Sequence, residues 1–517
     1  MVARVLTAAL TGLDAHKVTA EVDMNNSLPA IIIVGLPDTA VSEAKERVRS
    51  AIKNTGFQLP AKKITINLAP ADIKKEGSMY DLPLAMGILA ACGELDDKEF
   101  KDTAFIGELS LDGSVRAVRG VLPIVSGLKD LGITKIVVPL ENAKEAALVP
   151  GVTVWGAKDL VSAVNHFITD TEQRQSLPEI KVNLTEYMAK AMKETPDTFD
   201  FKDVKGQIKA KKALETAAAG AHNVLMSGSP GSGKTLLAKC FASILPPPEP
   251  EEAVELTKIY STAGLLDTKK PLIVKRPFRT VHHTASAAGI TGGGSNPKPG
   301  EITLAHRGIL FLDEIVEFPR QILETLRQPL EDGEIVISRA QMSVKYPAKF
   351  ILVGTMNPCP CGYLGDKERK CTCTEYQIQR YRAGLSGPLT DRIDIQIEVP
   401  RLKPEELIGA KFESESSASI RERVKKARKI QAERYKGYGF YTNSELNAKT
   451  IKIFCKLNAE CENLLKAASK KFALTGRSYD RTLKLSRTIA DLDGSENIEA
   501  AHIAQALQYR TLIEPSA

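Results

Sequence analysis

Apolar residues recur along the chain with two spacings, which predict strands in some segments and helices in others. The runs AFIGELSL (104–111) and ITKIVVPL (133–140) are strand-like, whereas AVSEAKERVRSAIKNTG (40–56) has the spacing of a helix. The first residues, MVARVLTAALTGLDAHK, resemble a signal peptide only briefly, because charged residues follow with no small-residue cleavage pattern. We therefore expect a first strand there, within an α/β or α+β block that spans residues 1–170.

Two further blocks follow a polar linker, which we place at 171–199. In the first, the apolar run NVLMSG (223–228) leads into a glycine-rich loop and a helical pattern, so a second α/β unit is predicted over 200–400. The second, 401–517, has helical patterns almost throughout and ends with IEAAHIAQALQYR (498–510).

Composition narrows the class of protein. The 517 residues are 43% hydrophobic and 26% charged, which is typical of globular chains and excludes disorder, collagen and a coiled-coil rod. No apolar run approaches the ~20 residues that span a bilayer, so neither a transmembrane helix nor a membrane partner is expected. The formal charge of +7 is too small to indicate nucleic-acid binding by itself. However, 421–436 holds eight Lys or Arg residues and two Glu, either as a solvated helix face or as contacts to phosphates.

The segment GSPGSGKT (228–235) matches the G-x-x-x-x-G-K-[ST] phosphate loop completely and lies between a strand and a helix, as the mechanism requires. In such loops, backbone amides turn toward the β- and γ-phosphates, Lys234 supplies a charge and Thr235 a hydroxyl for Mg²⁺. The sequence thus predicts ATP and Mg²⁺ as cofactors. The predicted nucleotide-binding residues of the loop are Gly228, Ser229, Pro230, Gly231, Ser232, Gly233, Lys234 and Thr235.

A second strand, GILFLDE (308–314), ends in two carboxylates. Asp313 is predicted to hold Mg²⁺ and Glu314 to polarise the attacking water. An Asp-Glu pair that caps a helix is the alternative, which a preceding phosphate loop makes less favourable.

Four cysteines occur within fifteen positions, as Cys359-x-Cys361 and Cys371-x-Cys373. Thiolates at this density suit tetrahedral Zn²⁺ and a reducing, cytoplasmic compartment. An iron–sulfur cluster and redox pairing remain alternatives. The other cysteines lie in apolar helical contexts, where we expect them to be buried: Cys92, Cys240, Cys455 and Cys461.

The order of these motifs resembles the AAA+ ATPases. The resemblance implies roles for Val204 and Gln207 beside the adenine, for Asn357 as the sensor of the lytic water, for Arg392 as an arginine finger and for Arg481 as the sensor 2 arginine. Without the resemblance, Arg392 would be interpreted as a surface ion pair. The segments that carry these roles are DFKDVKGQ (200–207), ILVGTMNP (351–358), LSGPLTDRID (385–394) and SYDRTLKLSRTIADL (478–492).

Longer segments resemble the ComM/YifB family of magnesium-chelatase-like AAA+ ATPases. These are FRTVHHTAS, GGGSNPKPGEITLAHRGILFLDE, TMNPCPCGYLGD and SGPLTDRIDI. The resemblance covers essentially the whole chain and implies a homo-hexamer that hydrolyses ATP at subunit boundaries. It also implies helicase or branch-migration activity on single-stranded and branched DNA during natural transformation. A magnesium-chelatase motor subunit and a zinc-stabilised DNA-binding ring with a regulatory ATPase remain alternatives.

Two polar segments are candidates for substrate contact. The glycine-rich segment 282–300 is expected to be either disordered surface or a moving contact element, and 330–350 to be two strands with a turn at Ala340-Gln341. Corresponding inserts line the pore in AAA+ relatives, so Lys298, Arg339 and Lys345 are candidate DNA contacts. His282 and His283 have no partner at zinc spacing, which favours ordinary hydrogen bonding.

The first block resembles the proteolytic domain of Lon-type proteases at 67–91 and 104–142. That chemistry needs a serine and a lysine, but the corresponding positions hold Met79 and Ile124. Adjacent Ser78 would become the nucleophile only if the alignment shifted by one residue. The predicted fold is therefore α/β, with a Lon-protease-like α+β domain that lacks its dyad, an AAA+ P-loop core with a zinc-binding insert and a C-terminal helical lid.

Overall fold

The computed structural model describes residues 2–168, 172, 174–294, 297–339, 342–366, 368–402, 414–471 and 474–510. The chain forms two compact units. The first combines Met1–Glu194 with Glu249–Val274, and the second combines Thr195–Pro248 with Lys275–Ala517. Within the described residues, no helix is both long and apolar enough to cross a membrane.

The first unit is built on a mixed seven-stranded sheet. Its strands are β1 Ala3–Thr11, β2 Asp14–Asn25, β3 Ala30–Val34, β4 Lys63–Ala69, β5 Thr103–Phe105, β8 Lys135–Pro139 and β9 Thr153–Ala157, while β6 Glu108–Leu109 and β7 Val115–Arg116 form a separate ladder. The order in the sheet is β3-β4-β2-β1-β5-β8-β9, with β2 antiparallel to both β1 and β4 and the other pairs parallel.

Helices cover this sheet and complete the apolar core of the first unit. They are α1 Thr39–Asn54, α2 Asp81–Cys92, α3 Val121–Asp130, α4 Ala143–Ala146, α5 Leu160–Phe167, α6 Leu184–Glu194 and α9 Pro250–Ala263. Met79 and Ile124, which replace the protease dyad, are buried. The hydroxyl of Ser78 donates a hydrogen bond to the carboxylate of Glu108. This partner is not the lysine that a Lon-type dyad needs.

The last helix of the first unit comes from a later part of the chain. The chain leaves the second unit after Pro248 and returns to it at Lys275. Between these points, Lys258 Nζ of α9 donates to Ser126 Oγ at 2.6 Å, and Ser261 Oγ donates to Glu145 at 2.5 Å. The ATPase core predicted at 200–400 includes residues 249–274 in one continuous domain. The predicted domain boundaries stay a prediction.

The second unit contains a five-stranded sheet in which all paired strands are parallel. Its strands are β10 Val224–Ser227, β11 Phe278–Val281, β14 Ile309–Leu312, β17 Ile351–Met356 and β18 Ile395–Glu398. The order is β11-β14-β17-β10-β18, so the strand before the phosphate loop lies between β17 and β18. Two hairpins stand apart from the sheet: β12 Gly292–Gly293 with β13 Lys298–Pro299, and β15 Glu334–Arg339 with β16 Met342–Pro347.

Helices surround the parallel sheet and form a largely helical C-terminal region. Around the sheet lie α7 Ile208–Gly220, α8 Lys234–Ile244, α10 Ala287–Thr291, α11 Glu301–Leu304, α12 Arg320–Thr325, α13 Arg327–Asp332, α14 Glu375–Arg382 and α15 Gly387–Thr390. The C-terminal helices are α16 Ser417–Arg434, α17 Ala448–Phe454, α18 Ala459–Lys471, α19 Gly476–Asp493 and α20 Ala500–Gln508.

The predicted fold class is confirmed: a β-rich N-terminal unit, a parallel sheet, a cysteine insert and a helical C-terminal region. Two local expectations were wrong. The run 104–111 is not one strand, because between β5 and β6 the Gly107 amide donates to Met79 O and the Gly107 carbonyl oxygen accepts from Leu82 N, neither of which belongs to a strand. The segment 282–300 is not only a loop, since it contains α10 and the β12–β13 hairpin. The two strands expected in 330–350 are present, whereas their turn at Ala340-Gln341 lies outside the described residues.

Candidate functional site

The glycine-rich loop 228–235 connects β10 to α8, and its turns require glycine. Gly231 and Gly233 have φ values of 77° and 92°, at which a residue with a Cβ would be strained. At Gly228 the obstacle is steric, because an added Cβ would lie 2.2 Å from the carbonyl oxygen of Val399. The loop therefore presents its backbone at the N-terminus of a helix, which is the arrangement that binds anions.

Lys234 lies among oxygen atoms of the loop. Its Nζ donates to the carbonyl oxygens of Gly228 at 2.5 Å and Ser229 at 3.1 Å, and to Asn357 Oδ1 at 3.3 Å. Burial lowers the pKa of Lys234, although the nearby carboxylates of Asp313 and Glu314 oppose that change. Asn357 directly follows β17, so the structure brings the predicted lysine and the predicted sensor together.

Asp313 directly follows β14, and its carboxylate accepts hydrogen bonds from the hydroxyl groups of two threonines. Thr235 Oγ1 donates to Asp313 Oδ2 at 3.2 Å, and Thr355 Oγ1 of β17 donates to Asp313 Oδ1. A carboxylate beside a threonine hydroxyl at a phosphate loop is a ligand set that suits Mg²⁺, which usually retains several waters. The residues present thus fit the predicted metal.

Glu314 has a left-handed backbone with φ of 52°, which is uncommon for a residue with a side chain. Its amide donates to Thr355 Oγ1 at 3.0 Å, and its side chain is exposed. Such conformations cost about 1–3 kcal/mol and persist at functional sites when the surroundings hold them. One hydroxyl, that of Thr355, therefore fixes both carboxylate-bearing residues.

The segment before α7 lies beside the phosphate loop. Gln207 Nε2 donates to the carbonyl oxygen of Pro400 at 2.7 Å and to that of Ser232 at 3.4 Å. The carbonyl oxygen of Val204, which is buried, accepts a hydrogen bond from Lys211 Nζ at 2.5 Å. Gln207 thus contacts the phosphate loop, and the contact of Gln207 and Val204 with an adenine stays a prediction.

The two predicted arginines lie where the parallel strands begin, which we call the amino edge of the sheet. The phosphate loop lies at the carboxyl edge, where the strands end. Arg392 is three residues before β18 and is buried; it donates to Glu331 and, at 2.8 Å, to the carbonyl oxygen of Pro388. The phosphate loop follows the carboxyl end of β10, and four strand residues at about 3.3 Å each separate the two edges by about 13 Å. The structure therefore does not bring Arg392 to the nucleotide site of its own chain.

Arg481 is also held at the amino edge. Its Nη1 donates to Asp394 Oδ1 at 2.5 Å, and the amide of Asn223 donates to Asp394 Oδ2 at 3.0 Å. Burial opposes ionisation of Asp394, but Arg481 and His222 hold the pKa of this carboxyl well below its usual value. The pair thus joins α19 to the residues that directly precede β10 and β18.

The four cysteines of 359–373 converge. The Sγ atom of Cys359 lies 3.3 Å from that of Cys361 and 3.6 Å from that of Cys371, and the sulfur atoms of all four cysteines lie within 4.8 Å of one another. Backbone amides also point at sulfur, for example Cys361 N at 3.4 Å from Cys373 Sγ. Four sulfurs at about 2.3 Å from a tetrahedral metal would have similar separations, so the donor set fits Zn²⁺.

The cysteine insert contacts the phosphate loop. A Cβ on Gly362 would lie 2.7 Å from Pro230 Cδ, so backbone and ring are in close contact. The amides of Glu368 and Arg369, and to a smaller extent the hydroxyl of Ser229, lower the pKa of the Asp366 carboxyl. The insert therefore contacts the first half of the phosphate loop, and α8 begins at the end of the second half.

The candidate DNA contacts lie on the two hairpins. Lys298 is exposed in β13, and Lys345 of β16 forms an ion pair with Glu334 across the β15–β16 hairpin. Arg339 is opposite Met342 in the register of that hairpin. His282 Nδ1 is 2.8 Å from the hydroxyl of Thr284, in keeping with the hydrogen-bonding role expected for it.

The basic stretch 421–436, which begins in α16 and ends two residues after it, divides by residue type. Its four arginines bind groups of their own unit, whereas its lysines at 425, 426, 429 and 436 are exposed. The arginine partners are Ser243 O and Asp197 for Arg421, Glu215 and Glu415 for Arg423, Ala218 O for Arg428 and Asp491 for Arg434.

Thr355 and Glu331 are residues that the sequence did not single out. Thr355 is fully buried in β17, and the available sequence signal was a polar residue inside an apolar strand, two positions before Asn357. For Glu331 no local signal exists, because its partner Arg392 is 61 residues away. Of the remaining cysteines, Cys240, Cys455 and Cys461 are buried as expected, and Cys92 is only partly so.

Comparison with known proteins follows the same division of the chain. Family models described as "Subunit ChlI of Mg-chelatase", "Magnesium chelatase, subunit ChlI" and "Magnesium chelatase, subunit ChlI C-terminal" match residues 20–142, 200–407 and 414–510. Competence protein ComM of Haemophilus influenzae is 43% identical over 511 residues, which cover 98% of this chain and 97% of that protein. YifB of Escherichia coli is 42% identical over 507 residues, with coverage of 98% and 96%.

Similarity to the enzyme subunit that gives the models their name is narrower. The magnesium-chelatase 38 kDa subunit of Cereibacter sphaeroides is 29% identical over 178 residues, or 31% of this chain and 53% of that protein. A parallel sheet with a phosphate loop, two carboxylates and an asparagine at its carboxyl edge defines an AAA-type P-loop ATPase. The chain belongs to the magnesium chelatase subunit ChlI family, with ComM and YifB as full-length relatives. The family implies ATP hydrolysis with Mg²⁺, and the predicted ComM/YifB resemblance is confirmed.

Proposed function

We propose that the chain is an ATP-driven hexameric motor that moves along DNA and acts on recombination intermediates by helicase or branch-migration activity. The observation that supports this most strongly is the full-length likeness to a competence protein. ATP hydrolysis at the nucleotide site would provide the energy for movement. Its proposed residues, which lie at the carboxyl edge of the sheet, are Lys234, Asp313, Glu314 and Asn357.

The proposed roles at this edge follow from the contacts. Lys234 would exchange its carbonyl acceptors for phosphate oxygens, and Glu314, held by Thr355, would orient and polarise the attacking water. Mg²⁺, held by Thr235 and Asp313, would neutralise charge on the phosphates. Asn357 would keep the water in line beside Glu314.

The proposed ring follows from the position of Arg392. An arginine at the amino edge can assist hydrolysis only at the site of another subunit, and such arginines accelerate phosphoryl transfer by about 10³–10⁵. Head-to-tail contacts of this kind close into rings. We therefore propose that Arg392 reaches the γ-phosphate bound by the neighbouring subunit and that the ring is a homo-hexamer.

DNA contact is proposed at the hairpins and on α16. Lys298 and Lys345 are exposed cations on short hairpins, and Arg339 ends β15. On α16 the exposed lysines, and not the internally bound arginines, are the proposed phosphate contacts. Such contacts would not depend on DNA sequence.

The deciding experiment is the ATPase rate of the purified protein without DNA and with single-stranded, double-stranded or branched DNA. We expect stimulation of several-fold by DNA, greatest for branched DNA, together with ATP-dependent strand separation. Glu314→Gln is the control, because it should bind the same DNA without separating strands. Equal ATPase rates with and without every DNA would contradict the motor.

A magnesium-chelatase motor subunit is the second candidate, favoured by the family models and by the 38 kDa relatives. Those relatives match less than a third of this chain, which makes the candidate weaker. A DNA-binding ring whose ATPase only controls assembly is the third. It predicts ATP-dependent DNA binding without strand separation, so the same experiment separates it from the motor.

We also propose that the four cysteines bind one Zn²⁺ that supports the phosphate loop through Gly362 and Pro230. Purified protein should contain about one zinc per chain. Cys371→Ser should lose the metal and bind ATP about tenfold more weakly, while Cys92→Ser should change neither. An iron–sulfur spectrum, or freshly reduced protein without any metal, would contradict the assignment.

A further inference from the structure

One carboxylate at the amino edge of the parallel sheet serves two arginines. Glu331 lies on α13 and accepts a hydrogen bond from Arg392 Nη2 at one of its oxygens. Its other oxygen lies 3.7 Å from Arg477 Nη2, on the first turn of α19. Glu331 and Arg477 are more than half exposed, whereas the Arg392 side chain is only 9% exposed.

We propose that Glu331 is a positioning residue that holds the Arg392 guanidinium in the orientation needed at the nucleotide site of the neighbouring subunit. This inference rests on the proposed action of Arg392 between subunits. Glu331 itself would not touch the nucleotide.

The orientation of the Arg392 guanidinium depends mainly on its contact with Glu331. Arg392 Nη1 donates to the carbonyl oxygen of Pro388, and its Nε is buried without a hydrogen-bond partner among the described residues. Among the described residues, only the Glu331 contact of Arg392 carries a charge opposite to the guanidinium. Charge-assisted hydrogen bonds to carboxylates are the stronger and more directional ones. Without it, one backbone contact would hold a long and flexible side chain.

Electrostatics gives Glu331 a second role. Arg392 and Arg477 both lie against one carboxylate, and without it two positive charges would face each other and separate. The hydrogen bond from Arg392, more than the nearby charges of Arg392, Arg477 and Arg481, lowers the pKa of Glu331. Glu331 therefore stays ionised near neutral pH and keeps the two guanidinium groups together.

The neighbouring arginine of α19 is held differently. Arg481 lies one helical turn after Arg477 and is bound to Asp394, which is only 5% exposed. That ion pair anchors α19, whereas the contact between Glu331 and Arg477 lies at the surface. Glu331 also precedes Gly333 and the β15–β16 hairpin by a few residues, so a shift of that hairpin would move the carboxylate that orients Arg392.

The test compares Glu331→Gln with Asp332→Asn, which removes the same charge from the next residue of α13. In rings saturated with ATP, Glu331→Gln should lower kcat about tenfold while KM for ATP stays within twofold, because the chain's own phosphate loop is unchanged. Asp332→Asn should match the unmodified protein. Mixed rings of Glu331→Gln and Lys234→Ala subunits should recover hydrolysis, since Lys234→Ala subunits supply an intact Glu331 and Arg392.

A double variant decides whether Glu331 acts through Arg392. Arg392→Ala with Glu331→Gln should be no slower than Arg392→Ala alone. A further tenfold loss in the double variant would overturn the inference, as would a Glu331→Gln protein with normal kcat. If Glu331→Gln does not fold, as judged by thermal unfolding and ATP binding, Glu331→Asp keeps the charge and should show an intermediate kcat, whereas an unchanged kcat there would count against positioning.

The proposed function fails separately. If Arg392→Ala alone hydrolyses ATP normally, Arg392 does not act between subunits, whatever Glu331 does. If Arg392→Ala is inactive and Glu331→Gln is normal, only the inference about Glu331 is wrong.

Discussion

The two edges of the parallel sheet carry different kinds of site. At the carboxyl edge, Lys234 and Thr235 of α8 bind residues at the ends of β14 and β17, so the predicted phosphate- and Mg²⁺-binding residues of one chain lie together. At the amino edge, arginines are held by acids, and no phosphate-binding loop accompanies them in the described residues. The difference teaches that the predicted nucleotide-binding residues bind one another within one chain, whereas the arginines of the amino edge are held away from them, and Arg392 is proposed to act on another chain.

The largest effect on ATP binding and hydrolysis should come from substitutions at the carboxyl edge. Lys234→Ala removes the charge that faces the phosphates and should abolish ATP binding. Glu314→Gln keeps that charge and should bind ATP while hydrolysing it at least 100-fold more slowly. Calorimetric titration with ATP and a phosphate-release assay measure the two quantities. A Glu314→Gln protein that hydrolyses at the normal rate would remove Glu314 as the base.

The second effect tests whether the amino edge acts on another chain. Arg392→Ala should lower kcat by about 10³ or more without weakening ATP binding. Mixing it with Lys234→Ala subunits should restore part of the hydrolysis, because some interfaces then pair an intact site with an intact arginine. Verified mixed rings without recovery would mean that Arg392 does not act in trans.

Arg481→Ala sharpens the contrast between the two arginines of this edge. Removing it leaves the buried Asp394 with only His222 and the amide of Asn223, which should cost up to about 3–5 kcal/mol of stability. Arg392→Ala should cost less, because the Glu331 it leaves is half exposed. Thermal unfolding of both variants checks the order, and equal losses would argue against a structural role for Arg481.

Thr355 offers a smaller effect at the carboxyl edge. Thr355→Val removes the hydroxyl that fixes Asp313 and the Glu314 amide, so kcat should fall about tenfold and more Mg²⁺ should be needed for half-maximal rate. Thr355→Ser keeps the hydroxyl and is the matched control. A Val variant with the Mg²⁺ dependence of the Ser variant would show that the hydroxyl is dispensable.

The smallest effect lies outside both edges. Replacing Lys425, Lys426 and Lys429 with Ala should weaken DNA binding uniformly and reduce the slope of log K against log salt by up to about three. Arg428→Ala is the control, because that arginine binds the carbonyl oxygen of Ala218. An unchanged slope in the lysine variant would leave α16 as a solvated face.

The carboxyl edge could be predicted from sequence because its motifs are short and their strands are apolar. A phosphate loop, an Asp-Glu pair and an asparagine each follow a strand directly, and parallel strands bring those ends together. The fold class followed from the same alternation of strands and helices.

The amino edge could not be predicted in this way because its pairs join distant residues. Arg392 and Glu331 are 61 residues apart, and Arg481 and Asp394 are 87 apart. An isolated arginine has no local pattern that reveals whether it faces a phosphate or an acid of its own chain. The same holds for α9, whose Lys258 binds Ser126 at a separation of 132 residues.

The path of α9 has a consequence for biosynthesis. Residues 1–194 leave the ribosome with the surface of α3 near Gly120 and Ser126 uncovered, and its partner Ser261 is made only after residues 195–248. At about 5–20 residues per second, several seconds pass before α9 can close that surface. During this interval Glu145 lacks the hydroxyl of Ser261 and the apolar core lacks Ala253, so the nascent first unit is incomplete until the phosphate loop has already been synthesised.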